Sequence, residues 1–259
     1  MFAGREQTRG LRRVESGLRA AFLMRRPRPP TIDRLALLAT VPPREFVRRP
    51  EFVRLALKVK THSMLTYPKL SFLYDLAVRV EKEGIPGDFV QCGVWRGGSA
   101  ALVARAWHAS PNRRLWLLDS WAGQPAPDAR DVSEYREDAA PGMFASSAED
   151  AQRFLVKEMQ VSPERLRFIE GWFDQTVATV SSRIDSVALL HVDCDFYGGT
   201  RTCLDGFDRL LSPGAPIVVD DYGTWKGCRE AVDEYRARSP GLELDWIDQT
   251  AVVLRRPSA

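Results

Sequence analysis

The chain has 259 residues, 44% of them hydrophobic and 27% charged, with 18 Gly and 17 Pro. That is one to two domains' worth of a folded protein, and it excludes collagen-like, low-complexity and wholly disordered chains. The net charge of +3 is too small to imply a polyanionic partner, and it is uneven: residues 1–34 carry +6 and the remainder carries −3. No run approaches about 18 consecutive apolar residues, so no membrane-spanning helix is expected.

The first 30 residues read as a basic N-terminal arm. Its apolar patch at 20–24 is shorter than the apolar region of a signal peptide and is flanked by Arg19 and Arg25, and no small-residue cleavage site follows. Cys92, Cys194, Cys203 and Cys228 include no CxxC pair, so a structural zinc site is not expected and the thiols read as reduced, in a cytoplasmic protein.

Pro27, Pro29 and Pro30 separate the arm from a helical cap over residues 31–84. Within the cap, residues 32–38 and 51–59 carry apolar residues at three-to-four spacing, with Pro50 placed where a helix start tolerates it. Pro68 then opens a helix through Leu70, Leu73, Leu76, Ala77 and Val80, which Gly84-Ile85-Pro86-Gly87 ends. Beyond this point the texture becomes short apolar runs alternating with helices. Strands are predicted at 88–93, 114–119, 166–170, 186–193 and 215–220, with a terminal pair at 243–247 and 251–255. Helices are predicted at 99–109, 148–159, 201–211 and 228–238. Residues 122–147 are aperiodic and rich in Pro, Ala, Asp and Ser, which at that length predicts a lid. Such alternation gives an α/β fold with a doubly wound, mainly parallel sheet over residues 85–259.

In open α/β sheets ligands bind beyond the carboxyl ends of the strands, and chemistry-bearing residues gather there. The first strand runs into Gly93-Val94-Trp95-Arg96-Gly97-Gly98-Ser99, a turn that lets backbone approach a ligand ahead of a helix N-terminus. Trp95 stands where GxGxxG needs its middle glycine, so the dinucleotide fingerprint is not met. Asp119 ends the second strand, where an acid can accept both hydroxyls of a ribose. Two buried strands end in Asp193-Cys194-Asp195 and Asp220-Asp221. If these strands are neighbours, up to four carboxylates converge, and a hard divalent cation such as Mg²⁺ is the usual relief of their repulsion. His191, two residues before Asp193 on the same strand face, is a candidate second base, with a partnered core histidine as the alternative. No GxSxG, P-loop or HExxH motif is present.

On these residues the chain resembles the macrocin O-methyltransferase family. The matching stretches are Ile85-Pro86-Gly87-Asp88-Phe89 leading to Gly93-Val94-Trp95-Arg96-Gly97-Gly98, then Leu118-Asp119-Ser120, Gly171-Trp172-Phe173 and Asp193-Cys194-Asp195-Phe196-Tyr197. Ser212-Pro213-Gly214, Val218-Val219-Asp220-Asp221-Tyr222 and Cys228-Arg229-Glu230-Ala231-Val232-Asp233 complete the set. The resemblance implies a seven-stranded class I methyltransferase fold that uses S-adenosylmethionine and Mg²⁺. It implies Asp193, Asp220 and Asp221 as metal ligands, with Asp193 also the catalytic base and His191 behind it. The implied cofactor residues are Met64, Gln91, Gly93, Trp95, Gly97, Gly98, Ser99, Asp119, Ser120, Gly171, Trp172 and Phe173. Two departures stand out: Gln91 replaces the family's usual acid, and Gly198-Gly199 replaces an acid-and-serine pair.

The expected function is metal-dependent methyl transfer to a hydroxyl on the sugar of a glycosylated natural product. Competing readings are a non-sugar hydroxyl acceptor and a cofactor-binding protein without turnover. The partner would be a small hydroxylated acceptor, a glycoside, with no nucleic acid and no membrane; homo-oligomerisation stays open. The mildly acidic body argues against nucleic acid despite the Arg-rich arm.

Overall fold

The computed structural model describes residues 30–135 and 138–256, so the expected basic arm lies outside the described residues but for its last position. Seven strands, β1 (Asp88–Cys92), β2 (Leu115–Asp119), β3 (Leu166–Glu170), β4 (Val187–Val192), β5 (Ile217–Val219), β6 (Glu243–Trp246) and β7 (Val252–Arg255), form one sheet in the order β3-β2-β1-β4-β5-β7-β6. The first five pair in parallel, while β7 runs antiparallel to both β5 and β6. This is the doubly wound arrangement expected from the alternation, and the predicted strands lie within two residues of those observed. Strands β1, β2, β4 and β5 are buried almost throughout, which is why they read as continuous apolar runs rather than alternating ones. The chain order reverses between β1 and β4, and a sheet of this kind opens its ligand crevice at that point.

Helices α1 (Pro30–Leu38), α2 (Pro43–Arg48), α3 (Pro50–Val59) and α4 (Tyr67–Lys82) make the cap. Helices α5 (Gly98–Ala106) and α6 (Ala148–Arg153) follow, the latter continuing into a π-helical turn at Phe154–Glu158. Phe52, Val59, Leu70, Leu73 and Ala77 from the cap share one apolar core with Leu102 of α5 and with Phe89, Leu117, Leu189 and Val218 of the sheet. The indole of Trp107 is fully buried at this junction and donates to the Ala77 carbonyl at 2.8 Å. The cap is therefore built into one face of the sheet. The other face is covered by α7 (Phe173–Ser181), α8 (Tyr197–Phe207) and α9 (Lys226–Ala237) around Val180, Leu204, Phe207 and Val232.

Three elements differ from the sequence expectation. Helices α2 and α7 were not predicted: α2 is six residues long with no buried residue, and α7 buries only Val177 and Val180. Helix α8 starts at Tyr197, four residues early, because Gly198 and Gly199 are helical. Its first free N–H, on Tyr197, is accepted by the Asp131 carboxylate at 2.8 Å, so a residue far off in sequence stabilises the first turn.

Asp131 belongs to the segment predicted to be a lid. At its neck Gln124 and Met143 are joined by backbone bonds (Gln124 N–H to the Met143 carbonyl, 2.8 Å, and Gly142 N–H to the Gln124 carbonyl, 2.9 Å). At its far end Glu134 N–H donates to the Thr224 carbonyl and Lys226 N–H to the Val132 carbonyl, while Ser133 bridges Trp225. The segment is tied to the start of α9 at the same time as Asp131 caps α8. Replacing Asp131 by alanine removes both the cap and the acceptor of the Asp128 N–H, a 2.9 Å bond that folds the segment on itself. Asp131→Ala should cost about 1–2 kcal/mol of stability and speed tryptic cleavage after Arg130; thermal denaturation and a proteolysis time course check both.

Candidate active site

The glycine turn after β1 is shaped by the neighbouring strands. Gly93 has φ +89°, and a Cβ added there would land on the backbone carbonyl of Asp193, which follows β4. Only glycine lets the two strand ends approach this closely. Asp193 N–H in turn donates to the Cys92 carbonyl at 2.8 Å, so the turn and the first acid of the site are locked together.

Asp119 organises the turn from the next strand. Its Oδ2 accepts the N–H of Val94 at 2.7 Å and of Trp95 at 2.8 Å, and its Oδ1 accepts that of Trp121 at 2.7 Å. Trp95 and Trp121 both take positive φ, near +50°, and the Trp121 indole donates to the Trp95 carbonyl at 2.9 Å. One carboxylate thus holds two strained loops that face each other. Gln91 is fully buried beneath them, and its amide donates to the Gly93 carbonyl at 2.8 Å and to Ser99 Oγ at 2.6 Å. An ionised carboxylate at this position would have no proton to give that carbonyl.

Strands β4 and β5 are adjacent, and they bring Asp193, Asp220 and Asp221 together as expected: one carboxylate oxygen from each lies within 4.8 Å of the others. Burial, followed by the nearby Asp220 and Asp195, pushes Asp193 well above the usual carboxylate range; burial and the other three acids do the same to Asp221. Asp221 is 8% exposed, and its Oδ2 has no hydrogen-bond partner among the described residues. The fourth acid, Asp195, turns aside: at φ +59° its Oδ1 accepts the Trp225 indole N–H at 3.2 Å, and burial raises its pKa to about 6. A buried cation answers the cluster from the cap. Lys69 of α4 donates to Asp220 Oδ2 at 2.7 Å and to the Asp220 carbonyl at 3.2 Å. Burial alone would lower its pKa, but Asp220, Asp221 and Asp248 together raise it above the ordinary lysine value.

Between the turn and the acids lies an open cleft. Of the sequence-predicted residues, Met64, Gly93, Trp95, Asp119, Ser120, Gly171, Trp172, Phe173 and Asp193 line it. Gln91, Gly97, Gly98, Ser99, His191, Asp220 and Asp221 are not on its wall. Gly98 is where the cap touches the turn, since a Cβ there would strike the His62 carbonyl, and Gly97 abuts Leu155. His191 is fully buried in β4 between Gln91 and Val218, and neither ring nitrogen has a partner among the described residues. Burial lowers its pKa to about 4, so it is neutral, and Asp193 is the member of the pair that reaches the cleft. Gln124, Pro125, Met143 and Phe144, from the segment expected to be a lid but not singled out as residues, form the loop side of the cleft, and Lys69 was not anticipated at all. The loop residues carry no periodic signal, and a lysine in an amphipathic helix reads as solvent-facing.

A profile of the family described as macrocin-O-methyltransferase (TylF) matches residues 56–256. The 8-demethyl-8-(2,3-dimethoxy-alpha-L-rhamnosyl)-tetracenomycin-C 4'-O-methyltransferase of Streptomyces olivaceus is 34% identical over 206 residues, covering 76% of this chain and 77% of that protein. The demethyldecarbamoylnovobiocin O-methyltransferase of Streptomyces niveus is also 34% identical, over 207 residues, covering 75% and 76%. Among solved structures, the O-methyltransferase NovP superposes with a TM-score of 0.65 at 33% identity, over 75% of this chain and 82% of that one. The seven-stranded, mainly parallel sheet is that of a class I O-methyltransferase. Within that class the chain belongs to the macrocin O-methyltransferase family, whose methyl donor is S-adenosylmethionine. Among the described residues no helix is long and apolar enough to cross a membrane.

Asp119→Ala leaves three backbone N–H groups without their acceptor and opens the turn. Hydrogen bonds to a charged group contribute about 1.5–3 kcal/mol each. The variant should melt at lower temperature and bind S-adenosylmethionine at least about tenfold more weakly by titration calorimetry; a lower melting point with unchanged affinity would make Asp119 purely a loop brace. Trp172 lines the cleft half-buried, with no ring partner among the described residues. Trp172→Leu should therefore weaken cofactor binding while leaving the melting temperature nearly unchanged, and the reverse pattern would assign the ring to packing.

Proposed function

We propose that this enzyme transfers the methyl group of S-adenosylmethionine to a sugar hydroxyl of a glycosylated natural product, with the help of a divalent cation held by Asp193, Asp220 and Asp221. The observation that carries the reading is the convergence of these three carboxylates, within 4.8 Å of one another, beside a cleft whose opposite wall is the glycine turn. The donor set fits a hard cation: all ligand atoms are oxygens, and the buried Asp221 Oδ2 lacks a partner. Mg²⁺ suits such a set better than zinc does. The sugar acceptor is supported by the relatives, one named for its action on a rhamnosyl tetracenomycin and the other for demethyldecarbamoylnovobiocin.

S-adenosylmethionine supplies an electrophilic methyl on a sulfonium, and a divalent cation supplies positive charge that eases loss of the acceptor's hydroxyl proton. The chain's own residues do the rest. Asp119 fixes the turn at Val94 and Trp95, and so sets the floor on which the donor would lie. Asp193 faces the cleft and takes the hydroxyl proton. Gln124, Pro125, Met143 and Phe144 close the loop side, excluding water and holding the acceptor in line with the methyl–sulfur bond.

The test is methyl transfer to candidate glycosides, read by mass and by the position of the added methyl on the sugar. Turnover should vanish in chelator and return with Mg²⁺. Asp221→Asn is the cleanest ligand variant, because Asp221 Oδ2 has no protein partner to lose. It should abolish turnover while leaving S-adenosylmethionine affinity within about twofold, since general-base and metal contributions to such steps reach about 10²–10⁴-fold. Full turnover in chelator with a verified acceptor would overturn the metal.

A further inference from the structure

Lys69 is an unusual occupant of its place. It projects from the cap helix α4 into the carboxylate cluster, is 9% exposed, and spends two hydrogen bonds on one residue, the side chain and the main-chain carbonyl of Asp220. A lysine is almost never this buried unless paired, because desolvating an ammonium is costly. The other acids around it are occupied elsewhere. Asp248 Oδ1 accepts the N–H groups of Thr250 at 2.9 Å and Ala251 at 2.8 Å, and its Oδ2 accepts Thr66 Oγ1 at 3.2 Å. Asp195 is turned to the Trp225 indole. Lys69 thus faces the negative charge of Asp220, Asp221 and Asp248, with Asp193 and Asp195 also within its field.

We propose that Lys69 is the resident counter-cation of the Asp193–Asp220–Asp221 cluster: its ammonium holds the three carboxylates together when no metal is bound and sets the charge left for the metal to neutralise. Because Asp220 Oδ2 is engaged by Lys69, Asp220 offers a metal its other oxygen, which makes Lys69 a positioning residue as well. Two opposed effects follow from its removal: a lost constraint on Asp220, which weakens metal binding, and a lost positive charge beside the metal, which strengthens it. At separations of a few ångströms in a buried site the charge term is the larger. The proposal rests on the metal reading above.

The experiment uses the full chain with Mn²⁺ as probe, free Mn²⁺ being followed by electron paramagnetic resonance and stability by thermal denaturation. Wild-type protein should take up Mn²⁺. Lys69→Met should bind it about tenfold or more tightly, and its melting temperature should fall in chelator and be largely restored by saturating Mn²⁺. Lys69→Arg, which keeps the charge, should stay near wild type in both readouts. If Lys69→Met does not fold in chelator, the double variant Lys69→Met/Asp220→Asn should, because it removes both members of the pair; a double variant as unstable as the single one overturns the proposal. An equal loss of stability with and without Mn²⁺, at unchanged affinity, would make Lys69 a packing residue and overturn the proposal alone. Wild-type protein that takes up no Mn²⁺ overturns the metal reading and the proposal with it.

Discussion

Three aspartates held within 4.8 Å of one another at the edge of a buried sheet are an electrostatic liability, and the architecture around them is arranged to sustain it. Burial raises the proton affinity of Asp193 and Asp221, and the neighbouring Asp195 and Asp220 raise it further. Without a positive charge the cluster would protonate or push β4 and β5 apart. The cap delivers that charge through Lys69, and it reaches the site only because α4 packs into the same core as the sheet. Stability and chemistry are thus carried by one contact surface: Leu70 and Leu73 bury the helix, and Lys69 beside them meets Asp220.

The fold was legible because its cause is local. Fully buried parallel strands are short apolar runs, and each run here ends in a glycine or an acid, so the strand ends and the candidate site could be read together. Asp119, Asp193, Asp220 and Asp221 follow from that pattern alone. What could not be read depends on partners distant in sequence. Lys69 looks like any lysine on an amphipathic helix until β5 is placed beside it. The early start of α8 needs Asp131, which lies in an aperiodic loop, to accept the Tyr197 N–H. Helix α7 buries too few side chains for its period to show.

Gln91 and His191 illustrate how a suspicious residue can have a structural cause. They are cross-strand partners on β1 and β4, fully buried just beneath the cleft. The Gln91 amide donates to the Gly93 carbonyl and to Ser99, two groups that fix the glycine turn, while its own oxygen is buried without a partner among the described residues. With a neutral amide there and a neutral imidazole beside it, the negative charge of the site is confined to the strand-end acids. Less charge beneath the turn means less repulsion for the cluster to overcome, so the change at position 91 and the crowding at Asp193 are parts of one electrostatic arrangement.

The two sides of the cleft are held by different kinds of force, and this bears on where specificity resides. The turn side is rigid because a single carboxylate, Asp119, gathers backbone N–H groups from two strained loops. The opposite side is formed by Gln124, Pro125, Met143 and Phe144, which are tied to the body by backbone bonds at the loop neck and by the 131–134 contacts to α9. Those backbone bonds do not themselves depend on the side chains at these positions. A scaffold of this kind keeps the donor's geometry constant while the loop wall changes, so differences in acceptor among relatives sharing a third of their residues with this chain should concentrate in residues 122–147. The segment with the least sequence pattern is then the one that carries the most information about the acceptor.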